Sequence, residues 1–137
     1  LWNQHALDLT RTVFVAEGIL DLTKLYDLGK SNIAATYGSV ISKHQLDTLS
    51  NIPNLVWVLD RDEAGVRACC EVAAVNRNMK VLIPTNADLG ADSIEQTQDA
   101  LKNRIVTFEQ LMHGVDHDWL LANDEWASTE IQYTEDE

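Results

Sequence analysis

The chain predicts an α/β fold: a doubly wound, mainly parallel sheet of about four strands with helices on its faces. Three observations predict it. Four short apolar runs, "TVFV", "NIAA", "LVWVL" and "KVLIP", are rich in β-branched or small apolar residues and too short for helices. Helical patterns separate them, so consecutive strands pair in parallel through crossovers. At 137 residues and 45% hydrophobic, the chain is long enough for one domain around one core.

The elements follow in order. Residues 1–11, with the weakly periodic "LWNQHALDL", form a lead-in segment. Thr12 to Val15 is the first strand. Ile19, Leu22 and Tyr26 then recur at helical spacing, Leu25 and Leu28 widen the stripe, and Gly29 ends it. Ile33 to Ala35 is the second strand, running into a loop of Thr36, Tyr37, Gly38 and Ser39. Ser42 with Gln45 three residues on is a capping-box pattern that opens a helix to about Ser50. Leu55 to Leu59 is the third strand. The next helix carries Ala64, Ala68, Val72 and Val75 on one stripe and stops at Asn78, and "KVLIP" is the fourth strand, closed by Pro84. Residues 107–137 read as a C-terminal helix and the acidic tail "ANDEWASTEIQYTEDE", with Trp119 and Trp126 packing that helix or a missing neighbour.

Twenty-two acids against ten bases give a formal charge of −12, which by itself opposes binding to a nucleic-acid backbone. Any such contact needs bound cations or a separate basic domain. Cys69 and Cys70 are adjacent within a helical pattern, a spacing that suits neither a disulfide nor a zinc site, so packing thiols in a reducing compartment are expected. No run of ~18 apolar residues stands in the sequence, and a cytoplasmic location with no membrane contact is expected. A start at Leu1 points to a piece of a longer protein.

The sheet topology gathers acids. Glu17, Asp60, Asp62 and Asp88 all follow strands at their carboxyl ends, where open α/β sheets place their ligands. Asp60 and Asp62 stand two apart, so in an extended segment both carboxylates face one spot. Like charges within ~4 to 6 Å raise each other's pKa unless a cation neutralises them. Mg²⁺ meets that need, because it takes hard oxygen ligands and uses only one or two carboxylates beside substrate phosphates. Acids in the first turn of a helix also have a purely structural use, which covers Asp62 and Glu63 but not Glu17 and Asp60. His113 and His117 share an i, i+4 spacing that suits zinc, but Gly114 interrupts their helix and no glutamate base lies between them.

"VFVAEGILD", "NIAATYGS" and "VLDRDEAG" together resemble the Toprim domain, most closely that of bacterial and phage DNA primases. The resemblance runs from about Val13 to Gly65 and loosely on to Asp88 or Asp92. It implies that residues 12–106 are the catalytic domain. Glu17 then matches the family's glutamate of acid–base or metal chemistry, and Asp60 and Asp62 its metal-binding pair. Asp21 matches an acid beside the active site, Gly18 and Gly38 match sharp backbone turns, and Ser39 a loop or phosphate contact. The chain departs from the family's primases in carrying Arg61 between the two aspartates and "ADLGADS" as its third motif, where Asp88 takes the acidic place and Asp92 is the alternative. Arg61 is expected to reach solvent or a nearby acid, or to touch a phosphate with its fork of donors.

The resemblance implies a nucleotidyltransferase that uses Mg²⁺ or Mn²⁺ to make RNA primers from nucleoside triphosphates on single-stranded DNA. Template binding would fall to zinc-binding and basic domains of the parent protein or to a replicative helicase, and the fragment alone should be weak or inactive. A Toprim-type nuclease needs the same metals and only water as nucleophile, so it stays open. A topoisomerase-like module lacks a supported tyrosine among Tyr26, Tyr37 and Tyr133. A non-catalytic Mg²⁺-binding receiver domain would want an acid pair after the first strand and a lysine after a late one, whereas Lys80 precedes its strand.

Overall fold

Strand side chains alternate between two faces, and Val13–Ala16, Ile33–Ala35 and Leu55–Val58 are apolar and buried at every position, as a sheet covered on both sides requires. The computed structural model describes residues 1–121, so the acidic tail with Trp126 and Tyr133 lies outside the described residues. Its strands are β1 (Val13–Ala16), β2 (Ile33–Ala35), β3 (Leu55–Val58), β4 (Lys80–Leu82) and β5 (Ile105–Thr107). The helices are α1 (Ile19–Asp27), α2 (Lys43–Ser50), α3 (Glu63–Val75), α4 (Ile94–Asn103), α5 (Phe108–Gly114) and α6 (His117–Leu120).

The five strands lie in the order β2-β1-β3-β4-β5, all parallel except that β5 runs antiparallel to β4. The α/β class and parallel pairing are as the sequence predicts, with a fifth strand added to the four. Phe14 pairs with Ile33 on one side and Val56 on the other, and Trp57 pairs with Val81. Val13, Val15, Trp57 and Val81 face one core together with Leu49, Cys69, Val72, Leu111 and Trp119. Phe14, Ala16, Val56, Val58 and Leu82 face the other, with Leu22, Leu25 and Ala100 of α1 and α4. Because the strand order reverses after β2, α1 lies on one face and α2 and α3 on the other. This leaves a crevice at the carboxyl ends of β1 and β3.

Helix starts are set by side-chain caps. Ser42 and Gln45 form the expected capping box, and Ser93 with Gln96 and Thr107 with Gln110 form two more. The lead-in segment makes a short 3₁₀ turn at Gln4–Ala6 and bridges Trp2 to Ala35 at the edge of β2. Among the described residues, no helix is long and apolar enough to cross a membrane.

Candidate active site at the carboxyl edge of the sheet

Glu17 leaves β1 as the chain turns into α1, whose N-cap is Gly18. Its backbone carbonyl accepts from the Gly38 N–H at 3.0 Å, which ties the loop after β2 to the end of β1. Gly38 has φ 139°, a conformation that favours glycine, and Tyr37 before it has φ 66°. Ser39 follows, half-buried. In the first turn of α1, Asp21 is buried and accepts from the Gly90 N–H at 3.0 Å. The Gly90 carbonyl in turn accepts from Lys24 Nζ at 2.6 Å.

Asp60 leaves β3 beside Glu17, on the face covered by α1. Asp62 is exposed and caps α3, its Oδ1 accepting from the Gly65 N–H at 2.6 Å. One of its oxygens is therefore committed to the helix, and Asp62 supports the site from its rim. Asp88 caps the 3₁₀ turn Leu89–Ala91 and accepts from the Ala91 N–H at 2.9 Å. A Cβ on Gly90 would lie 3.2 Å from Asp21 Oδ1 and 3.3 Å from Asp88 Oδ1, so this glycine sits between the two carboxylates. Gly18, Asp21, Tyr37, Asp88 and Gly90 line a cleft of about 590 Å³.

Two expectations are corrected. Arg61 does not extend to solvent: it is 1% exposed and donates to the carbonyls of Pro84, Thr85, Trp119 and Leu120. Strand alternation explains this, since the residue between Asp60 and Asp62 points to the opposite face. Burial and the neighbouring Arg104 bring its pKa down to about 10, which leaves it charged at neutral pH. Asp92, the alternative third acid, is also 1% exposed, and its oxygens accept from the backbone N–H groups of Thr85 and Asn86 at 2.8 Å each. It shapes the β4–α4 loop, and Asp88 is the residue that stands beside Asp21.

The acids that do converge are electrostatically strained. Burial, followed by the charges of Asp21 and Glu17, pushes Asp60 up to about 8. Burial also raises Glu17, assisted by Asp62 and Asp21 and partly offset by its hydrogen bond with Asp60. Asp21 is raised by burial and by Asp88, against the lowering effect of the Gly90 N–H. The Glu17–Asp60 pair can share one proton, whereas two bare carboxylates there repel. Apart from a proton shared between the two carboxyls, no donor meets Glu17 Oε1 or Asp60 Oδ1, which are both buried. Such oxygens are costly unless a proton or a cation meets them.

Hard, unpartnered carboxylate oxygens fit Mg²⁺ or Mn²⁺ rather than a soft metal. Among the described residues no group of three or more His, Cys, Asp or Glu side chains is arranged to hold a metal ion. An open pair of carboxylates agrees with the way Mg²⁺ is held, by one or two acids together with water and phosphate oxygens. The histidine spacing does not survive folding. His113 lies in the last turn of α5, Val115 is extended, and a new helix begins at His117, so the backbone between them is not one continuous helix. Cys69 and Cys70 are free thiols, and burial pushes both up in pKa, most for Cys69.

Gly65 and Lys24 belong to the site's framework and were not singled out by the sequence. The glycine closing "DRDEAG" is a signal for close backbone approach, whereas nothing local marks Lys24, whose partner lies 66 residues away. A family model described as Toprim-like matches residues 14–93. No curated protein matches the chain.

Proposed function

This chain belongs to the Toprim-like family, and from that premise we propose that it is the metal-dependent nucleotidyl-transfer module of a DNA primase, making RNA primers on single-stranded DNA. Domains of this family generally serve as metal-binding nucleotidyl-transfer or nuclease modules. The observation that carries the reading is the adjacent pair at the β1–β3 crevice, where Glu17 Oε1 and Asp60 Oδ1 are buried with no donor from any other residue. Within the family, "EGILD" and "ATYG" at the ends of β1 and β2 support the primase reading, whereas Arg61 in "DRDEAG" at the end of β3 departs from it.

Glu17 and Asp60 would hold Mg²⁺ or Mn²⁺, with Asp62 and Asp88 as further acids at the rim of the site and residues 12–106 as the catalytic unit. When bound, the cation would supply charge neutralisation at the triphosphate as the 3′-hydroxyl oxygen bonds to the α-phosphorus and pyrophosphate leaves. To act as a ligand Asp60 would have to be deprotonated, against the burial and neighbouring acids that favour its protonated form. Glu17 accepts the hydroxyl proton, a role suited to a carboxylate whose proton affinity is raised by burial. Asp21 fixes the Gly90 backbone and so the turn that presents Asp88. With a charge of −12, the module relies on zinc-binding and basic parts of the parent protein, or on a replicative helicase, to hold the template.

The test is primer synthesis by the parent protein carrying Glu17→Gln. A folded variant slowed by roughly 10² to 10³ supports the reading. Undiminished primer synthesis overturns it, and metal-dependent cutting of DNA without primer synthesis replaces it with the nuclease reading.

A further inference from the structure

We propose that Arg61 is a positioning residue that locks helix α6 and the β4–α4 loop to the acidic turn, so that the geometry of the acids depends on α6 being docked. The proposal rests on the reading of the acidic edge as the reactive site. Arg61 stands between Asp60 and Asp62 but faces the other side of the sheet. There its Nε donates to the Leu120 carbonyl at 3.2 Å and its Nη2 to the Trp119 carbonyl at 2.7 Å. Its Nη1 donates to the carbonyls of Pro84 at 3.1 Å and Thr85 at 2.5 Å. The guanidinium lies 4.2 Å from the centre of the Trp119 ring, and the Arg61 backbone N–H donates to the Ala87 carbonyl at 2.7 Å.

One side chain therefore ties three segments: the turn that carries Asp60 and Asp62, the loop that leads to Asp88, and the last turn of α6. A buried guanidinium is an expensive way to fill space, because its charge has been taken out of water. An apolar side chain would pack there at lower cost, but it could not fix direction. The planar fork sets the angle between its acceptors, which a lysine ammonium does not. Displacing α6 would remove two of the four carbonyls and the ring face together. The remaining bonds, from Nη1 to Pro84 and Thr85 and from the Arg61 N–H to Ala87, would still join the turn after β3 to the Asp88 loop, but without the anchor in α6 the two could shift together against Glu17.

The test compares wild type, Arg61→Lys and Trp119→Leu in two measurements, each variant first checked for folding by circular dichroism. The first is amide exchange without metal at Gly65 and Ala91, whose N–H groups donate to Asp62 and Asp88. The second is Mn²⁺ affinity. Positioning predicts faster exchange at Gly65 and Ala91 with β1 amides unchanged, and Mn²⁺ affinity lower by about 10- to 100-fold, the usual effect of removing a residue that orients ligands. A lowered unfolding midpoint with unchanged exchange at both amides and unchanged affinity overturns the proposal, because Arg61 would then serve packing alone. If Arg61→Lys does not fold, Trp119→Leu decides, since it leaves all four carbonyl acceptors in place. If wild type binds no Mn²⁺, the proposed function fails, and the amide measurement alone decides the role of Arg61.

Discussion

Gly65 stands so close to Asp60 that a Cβ built on it would lie 2.2 Å from the Asp60 carbonyl oxygen and 2.7 Å from its Cβ. The first turn of α3 is thus pressed against the residue that ends β3, and the contact is with backbone that cannot swing away.

Gly65→Ala should therefore destabilise the domain by about 1 to 3 kcal/mol or more, despite alanine's better helix propensity. Urea unfolding measures it. The same variant should lose metal affinity, because relief of the clash moves Asp60. A variant as stable as wild type would show that α3 is not seated on Asp60.

Stability without metal should fall as pH rises. Asp60 is held up to about 8 in the folded chain, against the usual carboxylate range when unfolded. Between those values the folded state binds more protons than the unfolded state, so the slope of stability with pH is negative. The contribution is fully present below the unfolded pKa and is lost as pH passes through about 8. Urea midpoints in a chelator at pH 5 and pH 8.5 should show the loss, and Asp60→Asn should flatten it. Equal slopes for wild type and Asp60→Asn would remove Asp60 as the source.

Much of this was legible in the sequence, for identifiable reasons. β1 to β4 and α1 to α3 announce themselves because buried parallel strands are continuously apolar and their helices carry an apolar stripe. β5 does not, since "IVT" is three residues long and its Thr107 also caps α5. Glu17 and Asp60 are readable from topology alone, because strand ends at a reversal of strand order face one crevice. The side-chain partners were not readable. In a sequence Arg61 looks like a solvated charge and Asp92 like an alternative third acid, yet their acceptors and donors come from Trp119, Leu120 and Thr85 through tertiary contacts. The period-2 rule that set Asp60 and Asp62 on one face also sends Arg61 to the other, and that consequence was available without coordinates.

The central claim is that the acidic edge of the sheet holds a divalent cation, and thermal unfolding of this chain with increasing Mn²⁺ tests it most directly. At about 100 times the dissociation constant, binding stabilises by about 2.7 kcal/mol, a rise of roughly 5 to 11 °C for a domain of this size. Asp60→Asn with Asp62→Asn should abolish the rise while raising the melting temperature of the metal-free chain, since buried repulsion with Glu17 is relieved. A Mn²⁺-dependent rise that persists in the folded double variant would place the cation elsewhere and contradict the account.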